Sequence, residues 1–521
     1  MSTLRPPSVE APRVVHAAFL KDIERRLEPL LRGAVLADWR LYSGRSAAGS
    51  LSWQLARNRI LSKDGLLDWA RTARRQATDP MTARRFELLE RMATEAILEQ
   101  HPSIARPRAR LQEKIAAFRP LWNGRRTTRA AVWERIRKSD DREERRAAWY
   151  AENPLYLSIE EPLRDLVRLR NERARRLGYR SYPEYRLAFE GFTVSRLQDL
   201  LDEAGRHVRT AARQKRDGFE DATGLRGWYP WDVAYADELA ARMPEGAFRG
   251  PPMLRSVLAG VRGWGFGPRP LKCRVNHHDL AFGGIEIPVD PPRDVRIVVH
   301  AAAGWTYYMT LFHEVGHAVH ARSTRHRPPL VRWYEYTPGF PGFVEGIGTL
   351  FEEIPRSPEW LVTRPGVNRK PATQFARTHS LSGILAMTWL IAWIRGELDL
   401  YRNPDADIAQ TRYRWLRRLG DYDTFDPLSF ADSFYVELPV YSQSYLFATL
   451  FAKQLLASMR GELGGDLWPN RRFGPWLTEN WFRHSGEFDW VPHVRATTGE
   501  PFGAAAFNRW ARTALADVGS D

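Results

Sequence analysis

Along most of the chain, apolar residues recur at the three-to-four-residue spacing of amphipathic helices. From Val14 to about Leu41, Phe19, Ile23, Leu27, Leu30 and Leu31 fall on one side of a predicted helix. The same spacing predicts helices over 64–100, 107–118 and 129–150, then a long helix from 157 that breaks at Gly178 and resumes from Tyr182 to 190. It returns over 194–215, 231–243, 371–402, 405–419 and 471–517, and within the apolar and aromatic run 427–460 Tyr441 and Tyr445 are one helical turn apart. Residues 1–13 are proline-bearing and aperiodic, which predicts a flexible N-terminal arm. No internal repeat or low-complexity linker interrupts 14–521, so a single domain folded as two helical lobes is expected. The period changes over 268–300. There, Pro/Gly punctuation brackets short β-prone runs, Ile285–Val289 and Val295–Val299, and predicts a small sheet. The fold class expected is mainly α, with that small sheet beside the segment that follows it.

That segment carries the chemistry. Thr310-Leu-Phe-His-Glu-Val-Gly-His-Ala-Val-His320 contains His-Glu-x-x-His, the HExxH motif. On a helix, His313 and His317 lie one above the other, spaced to share a metal ion. Glu314 sits beside the first histidine, within reach of a water at that metal. The pattern points to a zinc hydrolase with Glu314 as general base. The plainer alternative is a core helix with satisfied histidines. A catalytic zinc takes three protein ligands, and 338–353 offers the third. A Pro/Gly break precedes an apolar helix carrying Glu345 among Phe343, Val344, Ile347, Leu350 and Phe351. A carboxylate so surrounded requires a partner, and a metal is one. Glu352, two turns on, is either a solvated acid or the acceptor of a hydrogen bond from a ligand histidine.

These residues carry a resemblance. FHEVGHAVH and FVEGIGTLFEE are similar to the thimet oligopeptidase family of gluzincins. PGFVEGIG resembles the angiotensin-converting enzyme family, and PVYSQSYLFATLFAKQL resembles the carboxypeptidase Taq family. RNERARRLGYRSYPEYRLAFE resembles a structural stretch of all three. The resemblance spans about 15–460, is strongest over 278–353, and leaves the three families open. It implies a deep central cleft between helical lobes and one Zn²⁺ per chain. It also implies a peptide substrate that adds itself as a strand at the sheet edge, near Ala281, Phe282 and Gly283. Main-chain pairing of that kind gives affinity without demanding particular side chains, and Gly283 and Gly284 would admit a second backbone closely. By the same resemblance, His278 of HHDLAF would donate to the substrate or the oxyanion; otherwise it is an exposed loop histidine. Tyr445, with Tyr441 second, would stabilise the tetrahedral intermediate as a phenol donor; otherwise both are core tyrosines. One departure stands out. Where the peptidase families place a histidine shortly before these tyrosines, this chain has Tyr435 and Glu437.

Composition narrows the setting. With 43% hydrophobic and 27% charged residues, the balance is that of a soluble globular protein. No apolar run is expected to span a membrane, and the N-terminus lacks the apolar core of a signal peptide, so a cytoplasmic location is expected. One cysteine, Cys273, excludes an internal disulfide. The net charge of +16 raises nucleic acid as a partner. The excess is mostly arginine spread along the chain, however, and the dense run from Arg125 to Arg146 reads as a solvated helix face. The function expected is therefore zinc-dependent hydrolysis of short peptides, as in an oligopeptidase. A dedicated tailoring hydrolase acting on one peptide or amide is the alternative within enzymes. A non-catalytic peptide- or nucleic-acid-binding scaffold is the alternative outside them. Oligomeric state is left open.

Overall fold

The computed structural model describes residues 5–8, 10–46, 49–240, 253–280, 282–300, 304–325, 327–364 and 367–518. The parts of the expected N-terminal arm at 1–4 and 9, and the end of the helix expected over 231–243, lie outside them. The rest is dominated by helices. The first, α1 (Arg13–Tyr42), buries Leu20, Ile23, Leu27 and Leu31 along one face, as the spacing requires. Several expected helices are divided where local chemistry stops them. The run over 64–100 splits into Leu66–Gln76 and Pro80–Glu99. At that break, Asp79 caps the second helix by accepting from the Thr82 N–H, and Pro80 occupies its first turn. The run over 427–460 holds only a short helix, Ser433–Glu437, before a kink at Val440, whose φ is +49°. The long helix α4 (Ser442–Leu463) follows. Helices Leu51–Leu61 and Met253–Gly263 were not apparent from periodicity.

One of the sequence-based expectations needs correction. Arg145 of the arginine-rich run is fully buried and pairs with fully buried Asp232 at 2.7 Å. A solvated face cannot hold that pair. Among the described residues, one helical stretch, 369–402, is long and apolar enough to cross a membrane. It is divided into Arg369–Leu385 and Met387–Arg402, and 61% of its most apolar window is buried inside the protein, as in a core helix.

Near the chain's midpoint lies a three-stranded sheet of β1 (Arg274–His278), β2 (Gly284–Asp290) and β3 (Asp294–His300). The order is β1-β3-β2, with β1 parallel and β2 antiparallel to the central β3. β1 was not foreseen because its sequence, RVNHH, has no run of β-prone residues. One face of the sheet meets α1, where the Arg296 guanidinium lies 4.0 Å from the Trp39 ring centre. The other meets α2 (Trp305–Ser323), the helix that carries the histidines. Behind it stand α3 (Pro341–Phe351), which packs against both α2 and α4, and then α5 (Ala505–Val518), which packs against α4.

Small residues set these spacings. A Cβ at Gly316 of α2 would sit 2.9 Å from Cβ and Cγ of Phe351, and one at Gly346 of α3 would sit 2.5 Å from the Phe451 ring. Gly316→Ala therefore opposes two effects. Alanine gains about 1 kcal/mol of helix propensity. Against this, Phe351 Cβ is tied to its backbone and cannot swing away, and such overpacking costs about 1–3 kcal/mol. The substitution is expected to lower stability, read as a lower urea midpoint for unfolding; an unchanged or higher midpoint would show that α2 and α3 have room to part.

Candidate metal centre and active site

α2 and α3 bring three donors to one point. One ligand atom from each of His313, His317 and Glu345 lies within 4.8 Å of the other two. The two imidazole Nε2 atoms are 2.9 Å apart, and His313 Nε2 is 3.4 Å from Glu345 Oε2. Zinc bonded tetrahedrally at about 2.0–2.1 Å would hold its ligand atoms about 3.3 Å apart, so the set fits a single ion with a fourth position open. The side chains of His313 and Glu345 are 19% and 18% exposed, so solvent reaches them. His317 is more deeply buried, and burial together with neighbouring His313 drives its pKa well below the usual imidazole value. Burial alone would also lower His313, but the Glu345 and Glu352 carboxylates hold it well above that value. The pair thus contains one neutral and one charge-favouring ring facing a carboxylate, and both rings present Nε2 to the same point.

A second layer holds the first. Glu352, at the end of α3, accepts from His313 Nδ1 at 2.9 Å and from Arg356 at 2.8 Å. That bond selects the tautomer that turns Nε2 inward. The α3 backbone comes so close to the same ring that a Cβ at Gly348 would sit 2.5 Å from His313 Cε1.

Glu314 is almost fully buried. Burial pushes its pKa up to about 7, with His313 opposing the rise and Glu345 adding to it. Its carboxylate accepts from the backbone N–H of Glu286 on β2, so the outer edge of β2 stands beside it. At the same place, a Cβ at Gly284 would sit 2.9 Å from Thr310 Cγ2 and 3.0 Å from Glu314 Cγ. A Cβ at Gly283 would sit 2.9 Å from Thr310 Oγ1. The close approach these two glycines permit is thus that of α2. The Gly283 carbonyl accepts from the His300 N–H at 2.8 Å. Phe282 is exposed and meets Tyr42 of α1 edge-on, with ring centres 5.6 Å apart. Ala281 lies outside the described residues.

The tyrosines take different positions. Tyr441, at the start of α4, donates from its hydroxyl to Glu345 Oε1 at 2.9 Å. Tyr445 is 37% exposed, with its ring centre 5.7 Å from that of Tyr441. Burial, and the Glu345 and Glu314 charges it feels, raise its pKa and keep the phenol protonated. Where a histidine was missing, Tyr435 is buried and donates to the Trp393 carbonyl at 2.7 Å, whereas Glu437 is exposed. His278 is on β1, with β3 between it and β2; its ring packs where a Cβ at Gly44 would sit, 2.5 Å from Cε1. Sequence reasoning missed Arg356, Glu353 and Lys453. The only signal was charge inside otherwise apolar helical text.

No protein-family model matches the sequence, and no curated protein does. Solved structures do match. Metallocarboxypeptidase 1 of Trypanosoma cruzi superposes with a TM-score of 0.68 at 16% identity, covering 95% of this chain and 99% of that one. An M32 carboxypeptidase from Deinococcus radiodurans R1 gives 0.65 at 15% identity, covering 96% and 99%. The chain shares the fold of these two proteins. The shared fold runs through nearly the whole chain, so the helices outside the site belong to the same architecture.

Gly348→Ala places a methyl against His313 and is expected to weaken metal binding at least about tenfold while leaving helix content unchanged. Zinc titration followed by circular dichroism checks both. Unaltered affinity would mean that the ring is free to move aside.

Proposed function

We propose that the protein is a zinc-dependent peptidase that shortens peptides from the C-terminal end. The observation that carries the reading is the convergence of His313, His317 and Glu345 with Glu314 beside them. Support for the C-terminal mode comes from the carboxypeptidases that share the fold. Zinc bound there would supply Lewis acidity at neutral pH.

The chain's own residues then divide the work. Glu314, whose pKa is raised towards neutrality, is matched to take a proton from water on its carboxylate and return it to the leaving amine. The Tyr445 hydroxyl, protonated and partly exposed, is a donor available to an oxyanion. Tyr441 is committed to Glu345 and orients that ligand. The outer edge of β2 offers backbone groups to an extended substrate. A scaffold that only binds would have no use for a base placed in this way.

Two experiments test the reading. Glu314→Gln should retain zinc and lose hydrolysis by about 10²–10⁴-fold; cleavage at the wild-type rate would remove Glu314 as the base. Mass spectrometry of peptides with free or amidated C-termini tests the mode. Successive loss of C-terminal residues from the free peptides alone is expected, and internal cuts in both would replace trimming with endopeptidase action.

A further inference from the structure

The α3–α4 contact contains a charge arrangement that the metal ligands do not by themselves require. Arg356 forks between two carboxylates, donating to Glu352 Oε2 and to Glu353 Oε1, each at 2.8 Å. Glu352 in turn accepts from His313 Nδ1. One guanidinium cannot balance two carboxylates in a poorly solvated place. The second cation comes from α4. Lys453 donates to Glu353 Oε2 at 2.8 Å and lies 3.6 Å from the centre of the Trp510 ring on α5. Lys453 and Glu353 are 7% and 5% exposed. Around Lys453 on α4, Leu450, Phe451, Ala452, Leu455 and Leu456 are buried and apolar, and Gln454 is buried beside them. An ammonium in that setting carries a desolvation cost, and its partner is the carboxylate adjoining Glu352. Two negative and two positive charges leave the four-residue chain neutral, with Arg356 shared evenly between its two carboxylates.

We propose that Lys453 is a positioning residue for the metal centre, acting through Glu353, Arg356 and Glu352 on His313. The inference rests on the metal-site reading of His313, His317 and Glu345. Its logic is electrostatic. Without the ammonium, buried Glu353 keeps Arg356 as its only cation and draws it away from Glu352. Glu352, 21% exposed, is then free to turn to solvent. His313 loses the fixed acceptor that aims Nε2 at the metal. Losing a partner in this layer weakens metal binding by about 10–100-fold.

The test is a charge cycle on the full-length protein, with zinc affinity measured by competition against a chromogenic chelator. Lys453→Met is expected to weaken zinc binding about tenfold. The double variant E353Q/K453M removes the opposing charges together and leaves the Glu352–Arg356 pair whole. It is expected to return to within about threefold of wild type. A packing role for Lys453 would not be rescued in this way, so equal weakening in the single and double variants overturns the proposal. Wild-type affinity in Lys453→Met also overturns it. If Lys453→Met does not fold, judged by circular dichroism of the metal-free protein, Lys453→Gln keeps a donor to Glu353 without the charge and carries the same expectation. A wild-type protein that binds no zinc would overturn the metal centre and this inference together. Wild-type binding with an unaffected Lys453 variant overturns this inference alone.

Discussion

The closeness of α2 and α3 is the constraint on which the rest depends. Three donors from two helices can meet at one point only if the helix backbones nearly touch. Gly316 faces Phe351, Gly348 faces the His313 ring, and Gly346 faces Phe451 of α4. Each is a position where a side chain would drive the helices apart. A spread of even 1 Å would take Glu345 out of range of a metal held by the two histidines, because bonds to zinc have little tolerance in length. The large apolar core around these helices supplies the force that holds them together, and the glycines determine how far that force can pull.

Around this contact the electrostatics are arranged in layers. Glu314 and His317 are drawn out of water by packing, which raises the Glu314 pKa and depresses that of His317. The cost of burying so many acids is offset by a directed set of partners: His313 on Glu352, Arg356 on Glu352 and Glu353, Tyr441 on Glu345. Each partner fixes an orientation as well as a charge.

Much of this was legible in the sequence because it depends on short-range periodicity. His313 and His317 are one turn apart, so any helix through them aligns them, and Glu314 adjoins the first. Glu345 was recognisable from its apolar surroundings. The two strands of β2 and β3 declared themselves by β-branched runs, while β1 did not, since its pairing with β3 is decided by tertiary contact. The helices over 64–100 ran together in the sequence reading because periodicity continues through Asp79-Pro80, where capping stops it. Arg145 looked like surface because its partner, Asp232, is 87 positions away. Lys453 and Glu353 were invisible for the same reason: their pairing spans 100 positions and has no periodic signature.

The most direct test of the account is anomalous X-ray scattering at the zinc edge, from crystals grown with one equivalent of zinc. The account predicts a single strong peak bounded by His313 Nε2, His317 Nε2 and a Glu345 carboxylate oxygen, at about 2.0–2.2 Å from each. A zinc peak elsewhere, or none among these three side chains in protein shown to contain zinc, would contradict it.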